Sequence, residues 1–210
     1  PVEKNAHPHH HDGVVLVHNG IIENYVDLKN ELRTRGATFE SDTDSELVVH
    51  LIAEEVKRTK DLFEAVKNIL PRLEGAYSIV AVWDQQPDRF VAFKKGPPLI
   101  FGEGKDEMIV ASDVQAIVSH TKKILHLEDE QILLVSQSEF HLFDRSGKPL
   151  PVHMKEISLG LMISIEKPYF KDSSFTIYGL DDPNILKFIP KDLLEILKHE
   201  IEMVQGLLPE

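Results

Sequence analysis

The spacing of apolar residues changes at Gly75, and this change constrains the fold more than any other feature of the chain. Before Gly75, apolar residues recur every three or four positions, which is the period of an amphipathic helix. After Gly75, short runs of β-branched and aromatic residues are separated by turn residues. Helices followed by closely spaced strands predict an α+β domain in which helices cover one face of an antiparallel sheet.

The first predicted unit is a strand, a tight turn and a helix. Residues 14–18 form the strand, Asn19-Gly20 the turn, and a helix follows from Ile21 to a C-cap at Gly36. A second helix is predicted to begin near Thr43, where Glu46 completes a capping-box pattern. A third helix is predicted from the apolar spacing of Leu62, Val66, Ile69, Leu70 and Leu73.

Five short strands are predicted in the second half of the chain, over residues 76–83, 89–93, 108–111, 132–135 and 140–143. The character changes again near residue 151, so that two regions are expected, a domain over 1–150 and a linker or tail over 151–210. In the tail the pattern predicts a strand over 158–165, irregular chain over 166–182 and an amphipathic helix over 190–207.

Charge and composition exclude several classes of partner. A net charge of −12 argues against nucleic acid and against anionic membranes, since both require a basic surface. No apolar run approaches the ~20 residues that span a bilayer. The chain has no cysteine, which excludes disulfides and favours a cytoplasmic location.

Asn19 and Gly20 are the strongest candidate site residues. A turn after a strand can direct the Asn19 amide and the Gly20 N–H to one point, as in an oxyanion hole. Alternatively, the Asn-Gly pair only reverses the chain. Asp44 is the second candidate, because a carboxylate at a helix start can hold the ammonium group of an amino acid. Its alternative role is helix capping and favourable interaction with the helix dipole.

The histidine-rich segment over residues 7–11 is the third candidate for a functional site. Imidazole is a ligand for zinc and nickel, but metal sites collect ligands from separate elements at definite spacings. Consecutive histidines with a proline among them are more typical of a solvated loop. We therefore expect no metal site and no cofactor.

Several motifs follow one another along roughly residues 3–150. They are Asn5-Ala6-His7-Pro8-His9, Val17-His18-Asn19-Gly20-Ile21-Ile22-Glu23-Asn24-Tyr25, Arg35-Gly36, Thr43-Asp44, Leu73-Glu74-Gly75-Ala76-Tyr77 and Ala111-Ser112-Asp113. Taken in order, they resemble the glutaminase domain of the glucosamine-6-phosphate synthase family, which is a class II glutamine amidotransferase.

This resemblance implies an N-terminal-nucleophile hydrolase fold, a layered sandwich of antiparallel sheets and helices. It implies attack of a cysteine thiolate on the side-chain amide of L-glutamine, with release of ammonia and L-glutamate. By position, Asn19 and Gly20 would be the oxyanion donors, Asp44 would bind the α-ammonium group, and His7 and His18 would support the site. The expected partners are a sugar-isomerase domain with a fructose 6-phosphate site, outside this chain, and further copies in a homo-oligomer.

The family's cysteine nucleophile has no counterpart in these 210 residues. We therefore expect an N-terminally incomplete fold and a chain that is inactive by itself. One alternative is a non-catalytic relative that senses glutamine or binds a partner through the same pocket. Another is an interaction protein whose function lies in the tail.

Overall fold

The computed structural model describes residues 2–157, 163–165 and 175–177. The chain divides into two units, Pro1–Glu156 and Ile157–Glu210. In the first unit, three α-helices precede most of the strands, namely α1 (Tyr25–Thr34), α2 (Asp44–Thr59) and α3 (Leu62–Ile69). Short 3₁₀ turns cover Glu3–Asn5, Leu70–Arg72 and Val114–Ala116.

Eleven strands of the first unit form two antiparallel sheets. The seven-stranded sheet has the order β1-β2-β3-β4-β8-β9-β10, and the four-stranded sheet has the order β11-β7-β5-β6. The strands are β1 (His9–His11), β2 (Val14–Ile22), β3 (Gly75–Trp83), β4 (Phe90–Lys95), β5 (Ile100–Glu103), β6 (Met108–Ala111), β7 (Lys123–His126), β8 (Ile132–Val135), β9 (Phe140–Phe143), β10 (Pro149–Leu150) and β11 (Lys155–Glu156).

Two hydrophobic clusters lie on opposite faces of the seven-stranded sheet. One face packs against α2 and α3, and Leu16, Ile22 and Ile79 are buried there with helix residues such as Leu51 and Val66. On the other face, β4, β8 and β9 pack against the four-stranded sheet; the strand residues of this cluster are Ala92, Leu133, Val135, Leu142, Phe101 and Leu125. The layered α+β fold of antiparallel sheets and helices predicted from the periods is confirmed.

Local sequence accounts for where the helices begin. The Thr43 side chain accepts a hydrogen bond from the Glu46 N–H, and Asp61 does the same for Glu64 at the start of α3. The Glu46 carboxylate does not complete a capping box. It accepts hydrogen bonds from the N–H groups of Glu40 and Ser41, 2.7 Å away in both cases, and so holds the loop before α2.

Most predicted strands are confirmed, three of them with the same bounds. The prediction of a tight turn at Asn19-Gly20 is wrong, since β2 continues through both residues to Ile22 and stays paired with β3. The helix therefore begins at Tyr25 rather than near Ile21. The solvated loop expected for the histidine run is also wrong, because His9–His11 pairs with β2 as an edge strand.

The second unit is described at two short strands, β12 (Ile163–Ile165) and β13 (Phe175–Ile177), which pair antiparallel. The strand predicted over 158–165 is confirmed at its last three residues, and the irregular chain predicted over 166–182 is wrong at β13. The helix predicted over 190–207 lies outside the described residues. Domain bounds at 1–150 and 151–210 stay a prediction. In the described part of the chain, no helix has the length and apolar character needed to cross a membrane.

Candidate functional site

The candidate site lies where the second half of β2 meets the first turn of α2. β1 pairs with β2 only as far as Leu16, so that no described strand pairs with this edge of β2 beyond Leu16. The first residues of α2 lie beside this uncovered edge. The Ile22 N–H donates a hydrogen bond to Asp44 Oδ2 at 2.8 Å, which joins the strand to the helix start.

His18 is buried at the centre of this contact. Alternate residues of β2 face the helices, and His18 shares this face with the core residues Leu16 and Ile22. Its Nδ1 lies 2.9 Å from Ser45 Oγ and 3.8 Å from Asp44 Oδ1. Its Nε2 is buried and has no hydrogen-bond partner among the described residues.

Asp44 is held at one oxygen and partly exposed. Its side chain is 21% exposed, while that of His18 is 2% exposed. Asp44 is the first residue of α2, so that its carboxylate lies at the positive end of the helix dipole. A carboxylate fixed in this way can accept hydrogen bonds from an ammonium group.

The Gly20 N–H points to the same edge as that of Ile22. Successive N–H groups of an antiparallel strand point to opposite edges, and the Glu23 N–H points to the β3 side, where it bonds to the carbonyl of Glu74. Gly20 and Ile22 therefore direct their N–H groups away from β3. Asn19 lies between His18 and Gly20 and is exposed, with its side chain on the face opposite His18.

Gly20 also meets a steric requirement. Its φ is +125°, and a Cβ at this position would lie 2.2 Å from the carbonyl oxygen of Ala76 in β3. Only glycine fits such an approach. The Asn-Gly pair therefore serves strand pairing, and chain reversal does not explain it.

The histidines before β2 line the other side of His18. The His7 ring meets the His18 ring edge-on at 6.5 Å and the His9 ring edge-on at 5.2 Å. His9 is buried, and its Nε2 lies 3.2 Å from Thr43 Oγ1, so that it contacts the cap of α2. His7 itself is exposed.

Burial determines the charge state of these imidazoles. It lowers the pKa of His18 below its ordinary value; Asp44 opposes this shift, and His7 and His9 add to it. Burial also lowers the pKa of His9, and the neighbouring His7 adds to the effect. Both rings are therefore neutral at pH 7.

Of the five predicted site residues, the structure places His7 and Asp44 against His18. Gly20 lies in the same strand, two residues from the Ile22 N–H that binds Asp44, and the Asn19 side chain lies on the opposite face of that strand. Sequence reasoning missed Ser45 and His9. The Ser-Glu pair after Asp44 is typical of the first turn of a helix. The contact of Ser45 with His18 joins residues 27 positions apart, which no local pattern indicates. No group of three or more histidine, aspartate or glutamate side chains in the described ranges is arranged to hold a metal ion.

Comparison with known proteins identifies the family of this chain. A family model described as a glutamine amidotransferase domain matches residues 2–119. Glutamine–fructose-6-phosphate aminotransferase (isomerizing) of Clostridium tetani is 41% identical over 152 residues, which are 71% of this chain and 25% of the relative. The Escherichia coli K12 enzyme of the same name is 42% identical over 147 residues, which are 70% of this chain and 24% of the relative.

A solved amidotransferase structure is also similar to this chain. Glutamine phosphoribosylpyrophosphate amidotransferase from B. subtilis matches with a TM-score of 0.55 and 26% identity, over 65% of this chain and 30% of that protein. The chain spans about a quarter of the length of the curated relatives. The resemblance drawn from the motifs is confirmed, and the chain belongs to the glutamine amidotransferase domain family.

Proposed function

We propose that this domain is the glutaminase part of a glutamine-dependent fructose-6-phosphate aminotransferase. The observation that carries the proposal is the position of Asp44. Its Oδ2 is held by the Ile22 N–H, two residues from Gly20, and its side chain remains partly exposed. The α-ammonium group of L-glutamine is a fitting partner for this carboxylate, and the side-chain amide would then extend along the uncovered edge of β2.

Asn19 and Gly20 would stabilise the transition state. When a thiolate attacks the amide carbon, the carbonyl oxygen gains negative charge, and the nitrogen leaves as ammonia once it is protonated. The Asn19 amide and the Gly20 N–H are suited to donate hydrogen bonds to that oxygen. Removing one such donor typically costs about 2.7–4 kcal/mol of transition-state stabilisation.

The thiolate would come from polypeptide outside these 210 residues, since they contain no cysteine. In the whole enzyme, ammonia would pass to a sugar-isomerase domain, in a homo-oligomer, to form glucosamine 6-phosphate from fructose 6-phosphate. A cytoplasmic location remains a prediction.

The lack of cysteine supports a second candidate, a relative that binds glutamine without hydrolysing it. Intact mass and N-terminal sequencing of the protein isolated from its own cells would separate the two. A longer chain that begins with cysteine supports the glutaminase. A chain that begins near Pro1 supports the binding protein.

The ligand itself is tested by Asp44→Asn, measured by calorimetry with L-glutamine and L-glutamate. Asparagine keeps an oxygen for the Ile22 N–H but loses the charge, so that we expect binding to weaken at least about tenfold, as for the loss of one charge-assisted hydrogen bond. Asp42→Asn is the matched control, because Asp42 lies two residues away with its side chain 79% exposed. Equal affinity of Asp44→Asn and the unmodified chain would refute the assignment.

A further inference from the structure

Ser45 is buried at the second position of α2 and lies within hydrogen-bond distance of His18. The residue is 3% exposed, and its Oγ is 2.9 Å from His18 Nδ1. The same nitrogen is 3.8 Å from Asp44 Oδ1, beyond hydrogen-bond distance. Two neighbouring residues of α2 thus present competing acceptors to one imidazole nitrogen, and the serine hydroxyl is the nearer.

The surroundings of the ring decide which nitrogen carries the proton. A proton on Nε2 would leave a buried N–H without an acceptor in the described part of the chain, which is rare because desolvation of a donor is costly. A proton on Nδ1 has Ser45 Oγ as its acceptor and the Asp44 carboxylate nearby. The Nδ1–H tautomer is therefore favoured, with the hydroxyl oxygen accepting.

We propose that Ser45 is a positioning residue that accepts the Nδ1–H of His18 and thereby leaves Asp44 Oδ1 available to the α-ammonium group of the substrate. This inference rests on the proposed function, since it assumes that Asp44 binds the ammonium group. The only role of Ser45 at the site is then to prevent a hydrogen bond between His18 and Asp44.

Without the Ser45 hydroxyl, Asp44 Oδ1 would be the nearest acceptor for the imidazole. A small rotation of the ring would bring Nδ1 within hydrogen-bond distance of that oxygen, which then competes with the substrate. The ionisable groups that face His18 are Asp44 from α2 and His7 and His9 from the segment before β2. Of these, only Asp44 favours the imidazolium, and closer contact with it would raise the pKa of His18.

The test compares Ser45→Ala with the unmodified 210-residue chain in two measurements. NMR of the ¹⁵N-labelled histidines reports the tautomer and pKa of His18, and calorimetry reports the affinity for L-glutamine and L-glutamate. We expect the alanine variant to show a His18 pKa higher by about one unit and binding weaker by about tenfold. Ser45→Thr, which keeps the hydroxyl, should restore both values, and Ser136→Ala in the β8–β9 hairpin should change neither.

Three outcomes would overturn the inference. An unchanged tautomer and pKa in Ser45→Ala would show that the hydroxyl does not control His18. A raised pKa with unchanged affinity would show that the contact serves only the fold. If the unmodified chain binds neither ligand, the proposed function fails first and the role of Ser45 fails with it. Circular dichroism of each variant verifies that the helices are intact.

Discussion

Gly20 places a single N–H at the candidate site and also permits β2 and β3 to approach each other. Its φ of +125° is unfavourable for any residue with a Cβ, and that Cβ would collide with the Ala76 carbonyl. The residue is therefore required by the fold, whether or not its N–H serves chemistry. Function and packing act on the same position here, and a substitution affects both.

Replacement of Gly20 by alanine should destabilise the fold severely. We expect a loss of at least about 3 kcal/mol, because backbone strain of roughly 1–3 kcal/mol adds to the collision with β3. Gly36→Ala is the matched control, since Gly36 also has a positive φ, +93°, but an added Cβ there would have no atom within 4 Å. It should cost only about 1–2 kcal/mol, which is the backbone strain without a collision. Urea unfolding measures both, and equal losses would contradict the steric argument.

At the scale of elements, a stack of two histidines joins α2 to the edge strand β1. The rings of His11 and His50 lie 3.7 Å apart and nearly parallel, and Phe39 packs against His50 at 4.5 Å. Burial, with His11 next in importance, lowers the pKa of His50 to about 4, although Glu46 and Asp12 oppose the shift. The contact therefore requires a neutral His50.

This contact should make stability depend on pH. The pKa of His50 is lower in the folded chain than its ordinary 6.5, so that its contribution is complete above about pH 6.5 and is lost as the pH falls toward 4. Between pH 7 and pH 5 the loss should be about 2 kcal/mol. His50→Phe keeps a stacking ring without a titrating group, and we expect a smaller loss over the same interval. Identical pH profiles in urea unfolding would exclude His50 as the cause.

At the scale of the whole molecule, these 210 residues have an amidotransferase fold and contain no cysteine. The residues proposed as oxyanion donors, Asn19 and Gly20, lie in β2, and the proposed ammonium ligand Asp44 is bound to the same strand through the Ile22 N–H. Such groups can only stabilise a transition state that a nucleophile creates.

The purified 210-residue chain should therefore release no glutamate from L-glutamine. The expected rate equals that of a mock purification, since no cysteine is present to attack the amide. A coupled glutamate assay at pH 7 measures it, with calorimetry on the same sample to verify that glutamine binds. Glutamate release above the mock purification would show that another group acts as the nucleophile.

Local patterns predicted the three helices, and five strands after Gly75, but they missed β5, β7, β10 and β11. The 3.6-residue period identified α2 and α3, the two-residue period identified β3, β6, β8 and β9, and Thr43 marked the start of a helix, because these signals depend on neighbouring residues. The same local reasoning failed at Asn19-Gly20. A pair that favours a turn in isolation continues as a strand when β3 supplies hydrogen bonds on one side.

The sequence by itself determined the layered α+β fold, the family and the candidates Asn19, Gly20 and Asp44. Only the tertiary structure decided that the Ile22 N–H donates to Asp44 and that Ser45 Oγ lies within hydrogen-bond distance of His18. These contacts join residues 22 and 27 positions apart. Such pairings depend on how α2 packs against β2, and the burial that keeps His18 neutral arises only from that packing.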